Sequence, residues 1–286
     1  FYYNLNMLCN DCPRQCNIDR SSQVGFCGCP DKIVVSKIIE NFKWEEPCIS
    51  GNKGTLAIFF AGCNLKCCYC QNHKISFSCK GKQFSSEEFA KYLNSVDQSK
   101  YSAIEFISPT QFSSLILNAL KNFEKKIPIV WNSGGYEKAD MIKRLAKHVD
   151  VFMPDLKYVD SKLSKELSQA ADYFQQAREV LKMMRKCKEE EIFKDGILTS
   201  GLLIRHLVLP SFVKDSLKVL DFLASEIKDP FISLMSQFTP TPFSKIKRKV
   251  YPLEYKLVLE HAKKLGLEKG YFQDLDSASE SFIPSF

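Results

Sequence analysis

"TLAIFFAGCNLKCCYCQN", Thr55 to Asn72, joins an unbroken apolar run to four cysteines within eight positions. The run is short, β-branched and aromatic, the form of a strand buried on both faces. Cys63, Cys67 and Cys70 follow as Cys-x3-Cys-x2-Cys, with Tyr69 just before the last. Loops of this kind hold iron–sulfur clusters through thiolates, because nearby backbone wraps one cluster face and donates hydrogen bonds to its sulfurs. Three thiolates on a four-iron cluster leave one iron open to a substrate or cofactor. Cys68 is expected to be a small bystander thiol pointing away from its neighbours.

Outward from this stretch the chain alternates strand-like runs with helical patterns. Further strands are expected at Ala103 to Ser108, Ile127 to Asn132, Val149 to Asp155, Leu202 to Leu209 and Ile232 to Phe238, with a short one at Gly270 to Leu275. Between them, helices are expected at Phe112 to Phe123, Lys138 to Lys147, Ser161 to Lys188 with a break, Lys214 to Ile227 and Leu253 to Leu265. Ser85 and Glu88 form a capping-box pattern for one more, carrying Phe89, Tyr92 and Leu93. Six βα units with right-handed crossovers fit either a doubly wound sheet or a full or partial barrel. In both, function is expected where loops leave the C-terminal ends of the strands, and the cysteine loop is the first of these.

Twelve cysteines in 286 residues do not imply disulfides, since a chain this long buries a large core unaided. With no apolar stretch long enough for a membrane helix and no signal-peptide layout, a reducing cytoplasm is expected, where clustered cysteines bind metal or do redox chemistry. The chain opens on Phe1 rather than Met, so a preceding leader is expected. The net charge of +7 comes from lysines scattered along helical faces. "SKIKRK", Ser244 to Lys249, is read as a solvated loop, and neither a nucleic-acid nor a membrane partner is expected.

Residues 1–47 read as a Cys-rich metal-binding appendage and residues 48–286 as the core with a C-terminal extension. The appendage offers Cys9, Cys12, Cys16 and Cys27, with Cys29 spare; four thiolates suit tetrahedral zinc and a second iron–sulfur cluster equally. Cys79 and Cys187 read as ordinary core or surface residues, and Cys48, close to the first strand, is held open as a functional residue. His73 is expected to be a solvent-facing loop residue.

The cysteine spacing and its place after a first strand resemble the radical S-adenosylmethionine (radical SAM) superfamily. "CNDCPRQC", "EEPCISG", "SPTQF", "WNSGGYEK", "FMPDLKY", "IRHLVLP", "LMSQFTP" and "SASESFIPSF" resemble the branch related to pyruvate formate-lyase activating enzyme. The resemblance implies an α/β fold, a partial (βα)6 barrel of radical SAM type with the N-terminal Cys-rich appendage. It also implies a 4Fe-4S cluster on Cys63, Cys67 and Cys70 that cleaves S-adenosylmethionine reductively to a 5'-deoxyadenosyl radical for hydrogen abstraction. Tyr69 would lie against cluster and adenine. Thr110 and Gln111 stand where the family carries a glycine pair and a glutamate for the methionine amine, a departure that leaves these two side chains as the oxygen donors. Asn132, Ser133 and Asp155 would line the methionine carboxylate and a monovalent cation, with Asp155 capping a helix or pairing Lys157 as the alternative. Arg205 would face the cofactor with its fixed fork of donors, His206 lying on the opposite strand face, and Gln237 would contact adenine or ribose. Implied partners are a glycyl-radical enzyme as protein or peptide substrate and a low-potential donor such as flavodoxin or ferredoxin, in an anaerobic setting. Another peptide, a small metabolite, or a non-catalytic electron-transfer role are the alternatives, and no residue is named as the catalytic acid or base.

Overall fold

The computed structural model describes residues 8–275. The tail motif "SASESFIPSF" lies outside them. Strands and helices follow in the order β1 (Ile33–Phe42), α1 (Pro47–Ser50), β2 (Thr55–Phe60), α2 (His73–Ser76), β3 (Lys82–Phe84), α3 (Ser86–Ser95), β4 (Ile104–Ile107), α4 (Ser113–Leu120) and β5 (Ile129–Ser133). The second half continues as α5 (Ala139–Leu145), β6 (Val151–Pro154), α6 (Ser161–Ser168), α7 (Tyr173–Cys187), β7 (Ile192–Lys194), β8 (Ile197–Leu207), α8 (Val213–Glu226), β9 (Phe231–Met235), α9 (Pro252–Lys264) and β10 (Gly270–Phe272).

One sheet runs β10-β9-β8-β6-β5-β4-β2-β1-β3, with β7 paired to β8 alone. From β2 to β10 every neighbour on that path is parallel, while β1 lies antiparallel to β2 and β3. The six strands β2, β4, β5, β6, β8 and β9 are the expected βα series, wound as an open, partial barrel. Side chains alternate across it with period two. Ile58, Phe60, Phe106, Trp131, Phe152, Ile204 and Leu234 face the helices and join the main core. Val130, Val151, Met153 and Leu203 face the other way and pack with Cys48 and Ile49 of α1. Cys48, 2% exposed, is therefore part of an apolar plug, which is the physical role the structure gives it. Burying side chains of this size contributes about 1.5–3 kcal/mol each.

The capping box at Ser85 forms: the Glu88 amide donates to Ser85 Oγ at 3.1 Å, and the Ser85 amide donates to Glu88 Oε2 at 2.6 Å. The expected break in the long helix falls after Ser168, where Gln169 turns left-handed at φ 56°. Two features depart from the sequence reading. Ile33–Phe42, assigned to the appendage, is a strand of the sheet, and Ile33, Val34 and Val35 are buried in the main core. Consequently the expected boundary near residue 47 does not separate the sheet from what precedes it. The other is the hairpin of β7 and β8, which begins β8 five residues early; Asp195 and Gly196, at φ 51° and 79°, make the two-residue turn that an Asp-Gly pair favours.

Candidate active site

Loops from the C-terminal ends of the parallel strands converge on one cavity, lined by Cys63, Cys67, Tyr69 and Cys70 after β2, Ser108 after β4, and Asn132 and Ser133 of β5. Asp155 and Lys157 after β6, Arg205 of β8 and Gln237 after β9 complete the polar wall, with Phe59, Leu207 and Met235 as apolar lining. Phe59, Asn132, Arg205, Leu207 and Met235 share the inward period-two face, while Ser133, of opposite parity in β5, reaches the cavity from the strand end; strand ends far apart in sequence thus reach one space.

The cysteine loop is held by its own backbone. Gly62 donates to Ile75 O at 2.9 Å and Ser78 O at 3.0 Å, and the Leu65 amide donates to Cys63 Sγ at 3.4 Å. Ser168 Oγ donates to Cys67 Sγ at 2.9 Å. A chain of hydroxyls continues from Ser168 through Tyr158, at 2.8 Å, to Tyr69. Burial pushes the Cys63 thiol up to about 12 and the Cys67 thiol up to about 11, so a bound metal would displace these protons. Cys68 does not line the cavity; its amide is tied to Leu167 O at 2.8 Å and its thiol packs against the main core. His73 lies outside the cavity beside Phe77 and Phe243, its Nδ1 3.1 Å from Cys70 O.

Across the cavity lies a buried network of charge. Arg205 donates from Nε to Asp155 Oδ1 at 3.2 Å, from Nη1 to Glu45 Oε2 at 2.7 Å and from Nη2 to Asn132 Oδ1 at 2.6 Å. Asn132 Nδ2 donates to Glu105 Oε1 at 2.8 Å, and Thr55 Oγ1 donates to Glu105 Oε2 at 3.0 Å. Glu45 and Glu105 lie carboxyl to carboxyl. Burial and then mutual repulsion raise Glu45 far above the ordinary carboxylate range, and burial raises Glu105. This pair and Asp155 face the two cations Lys157 and Arg205. For Asp155, burial works upward, but Lys157 at 2.6 Å and Arg205 hold the carboxyl below its usual value. The oxygen that a monovalent cation was expected to use thus faces the Lys157 ammonium, the pairing named as the alternative. His206 does point to the opposite face, as expected: its Nδ1 is 2.7 Å from Leu156 O, and burial pushes it down to about 4.

Thr110 and Gln111 do not line the cavity. Thr110 Oγ1, Ser133 Oγ and Trp131 Nε1 donate to buried Glu137 at 3.1, 2.8 and 2.7 Å. Gln111 Nε2 donates to the carbonyls of Ala61, Gly62 and Ser108, tying two loops together. Ser108 takes the cavity position instead, at φ 56°. Gln237 lines the cavity and its Oε1 accepts from Gln273 Nε2 at 3.0 Å. Missed from the sequence were Glu45, Glu105 and Glu137. A charged residue in the middle of the apolar run "AIEFIS" was the available signal for Glu105.

Cys9, Cys12, Cys16 and Cys27 line a separate, narrow pocket. Cys29, spare in the sequence pattern, and Cys79, which has no partner spacing there, lie with Cys27 in one cluster in which Cys29 is within hydrogen-bond reach of both others. Among the described residues no three His, Cys, Asp or Glu close to the distances of a single metal ion, and no helix is long and apolar enough to cross a membrane.

The sequence model of the Radical SAM superfamily matches residues 57–200, half of the chain. An uncharacterised protein of Methanocaldococcus jannaschii is 29% identical over 290 residues, covering 95% of this chain and 77% of that protein. A pyruvate formate-lyase-activating enzyme of Clostridium pasteurianum is 30% identical over 111 residues, which are 36% of this chain and 45% of that enzyme. The crystal structure of methylornithine synthase shares the fold, with a TM-score of 0.51 at 12% identity over 76% of this chain and 63% of that one.

Proposed function

We propose, from the premise that this chain belongs to the radical SAM superfamily, that it generates a 5'-deoxyadenosyl radical and uses it to remove a hydrogen atom from a protein or peptide. The observation that carries the reading is the convergence of Cys63, Cys67 and Cys70 on one cavity with the Arg205, Asp155 and Lys157 network. Among the described residues no fourth cysteine lines that cavity, so the donor set fits a 4Fe-4S cluster with one open iron. When bound, such a cluster supplies the electron for reductive cleavage of the S-adenosylmethionine sulfonium.

The chain's own residues bind and orient. Arg205 and Lys157 present positive charge to the methionine carboxylate, and Asp155 with Asn132 presents oxygen to the ammonium. Ser108 is the hydroxyl placed at the amine position that Thr110 and Gln111 leave open. Tyr69 and Gln237 border the nucleoside, and the hydroxyl chain ending at Ser168 polarises the Cys67 sulfur. A continuation of the cavity past Arg205 and Gln237 toward Glu46, Tyr271 and Gln273 admits the substrate. The partial match to a pyruvate formate-lyase-activating enzyme favours a glycyl-radical enzyme as that substrate. All twelve cysteines are free thiols, which suits a reducing, anaerobic cytoplasm and an electron donor of the flavodoxin or ferredoxin class.

Electron paramagnetic resonance on anaerobically reconstituted, reduced protein tests the reading, with and without S-adenosylmethionine and beside Cys67→Ala. A cluster signal that shifts with S-adenosylmethionine and is lost in the variant is expected, with 5'-deoxyadenosine as product. A signal indifferent to the addition would mean a closed electron-transfer cluster.

A further inference from the structure

The cysteines before β1 have no part in that chemistry, yet their surroundings repeat those of the loop. The Phe26 amide donates to Cys16 Sγ at 3.5 Å. Amides of Asp11, Arg14 and Cys29 face the sulfurs of Cys9, Cys12 and Cys27. In these three the donor stands two residues after the cysteine, the offset at which Leu65 serves Cys63 and Asn72 serves Cys70. Amide bonds of this kind stabilise metal-bound thiolates.

Charge and unsatisfied polarity point the same way. Arg20, 7% exposed, lies near Cys27 and Cys9, and its Nη1 donates to Gln111 O at 2.7 Å. Gln111 is 2% exposed and lines the four-cysteine pocket, and Arg20 Nη2, a donor, has no partner. Four thiolates in this setting suit zinc and an iron–sulfur cluster alike, and the neighbouring loop separates the two.

Asn64 decides what such a group would be for. Its side chain hydrogen-bonds the Cys12 sulfur, and its Oδ1 stands 4.0 Å from Cys63 Sγ. Arg14 fixes the two segments together, donating from Nε to Asn64 O at 2.9 Å and from Nη1 to Gln169 O at 2.6 Å.

We infer that Cys9, Cys12, Cys16 and Cys27 hold a second iron–sulfur cluster that relays electrons, past Asn64, to the cluster on Cys63, Cys67 and Cys70. The relay rests on the function proposed above; the metal site does not. One electron enters from a low-potential one-electron donor protein, reduces the second cluster, and passes on to the loop cluster, leaving the second cluster oxidised again. No atom or proton is transferred.

The test is anaerobic reconstitution of the full chain carrying Cys63→Ala, Cys67→Ala and Cys70→Ala together. Retained iron and acid-labile sulfide in equal amounts are expected; zinc without sulfide, or a folded protein with neither, overturns the inference. Unmodified protein gives a check that needs no variant, since its iron must exceed the four atoms of a single 4Fe-4S cluster. The reciprocal variant, Cys12→Ser with Cys16→Ser, should keep the loop cluster and its response to S-adenosylmethionine. Reduction of that cluster by dithionite should be unchanged and reduction by a ferredoxin slowed at least tenfold; equal rates with ferredoxin overturn the relay. A reciprocal variant and parent alike indifferent to S-adenosylmethionine would refute the proposed function alone, while the metal site stood.

Discussion

Replacing Arg205 with methionine keeps the length of the side chain and removes its fork. Three hydrogen bonds go, to Asp155, Glu45 and Asn132 at 3.2, 2.7 and 2.6 Å, from a side chain only 13% exposed. Asp155 keeps Lys157 at 2.6 Å, but Glu45 loses the cation that its Oε2 faces. Breaking a buried pair in this way costs about 3–5 kcal/mol, which is about two to three and a half orders of magnitude in the folding equilibrium. The cost depends on pH. Glu45 and Glu105 already titrate above the ordinary carboxylate range, and without the guanidinium they rise further. A carboxyl raised on folding makes the folded state bind more protons than the unfolded one, so stability is lost as pH rises. The loss in Arg205→Met should therefore be larger at about pH 8 than at about pH 5.5. Urea unfolding of reduced, cluster-free protein, followed by tryptophan fluorescence at both pH values, measures it. A loss below about 1 kcal/mol at both, or a larger loss at the acid end, would refute the account of the network.

Three further outcomes are expected. Gly62→Ala places a methyl 2.3 Å from Cys29 Sγ at φ +70°, and iron analysis after reconstitution should show the loop cluster largely lost although its cysteines remain. Glu137→Ala strands the donors on Thr110, Ser133 and Trp131 and should cost about 2–4 kcal/mol in denaturant unfolding, while Glu137→Gln should cost less than half of that; equal costs would mean the hydrogen bonds are not what matters. His206 is held neutral at about 4 against roughly 6.5 when unfolded, so its contribution is complete above about pH 6.5 and falls away toward about pH 4, by roughly 3 kcal/mol. In His206→Gln the stability profile across that window should flatten, and parallel profiles would remove the histidine from consideration.

The sequence by itself determined what depends on neighbours along the chain. Alternation of apolar runs with helical periods specified the six βα units, because each strand is recognised by its own residues, and Thr55–Phe60 was read to the residue. Cys-x3-Cys-x2-Cys was legible for the same reason: ligand spacing in a short loop is covalent. That Arg205 and His206 face opposite ways followed from strand alternation, and the family resemblance chose Arg205 as the inward one. Only the tertiary structure decided the rest. Thr110 and Gln111 were expected at the cofactor, but the end of β4 turns them toward Glu137 and the Ala61 carbonyl, and no local pattern encodes that rotation. The strand Ile33–Phe42 was hidden in a turn-rich segment because its partner, β2, supplies the reason for it. Glu45 stands 160 positions from Arg205, and Asn64 meets Cys12 across 52. Their chemistry comes from low-dielectric burial beside each other, a property of the folded chain that residue order does not display.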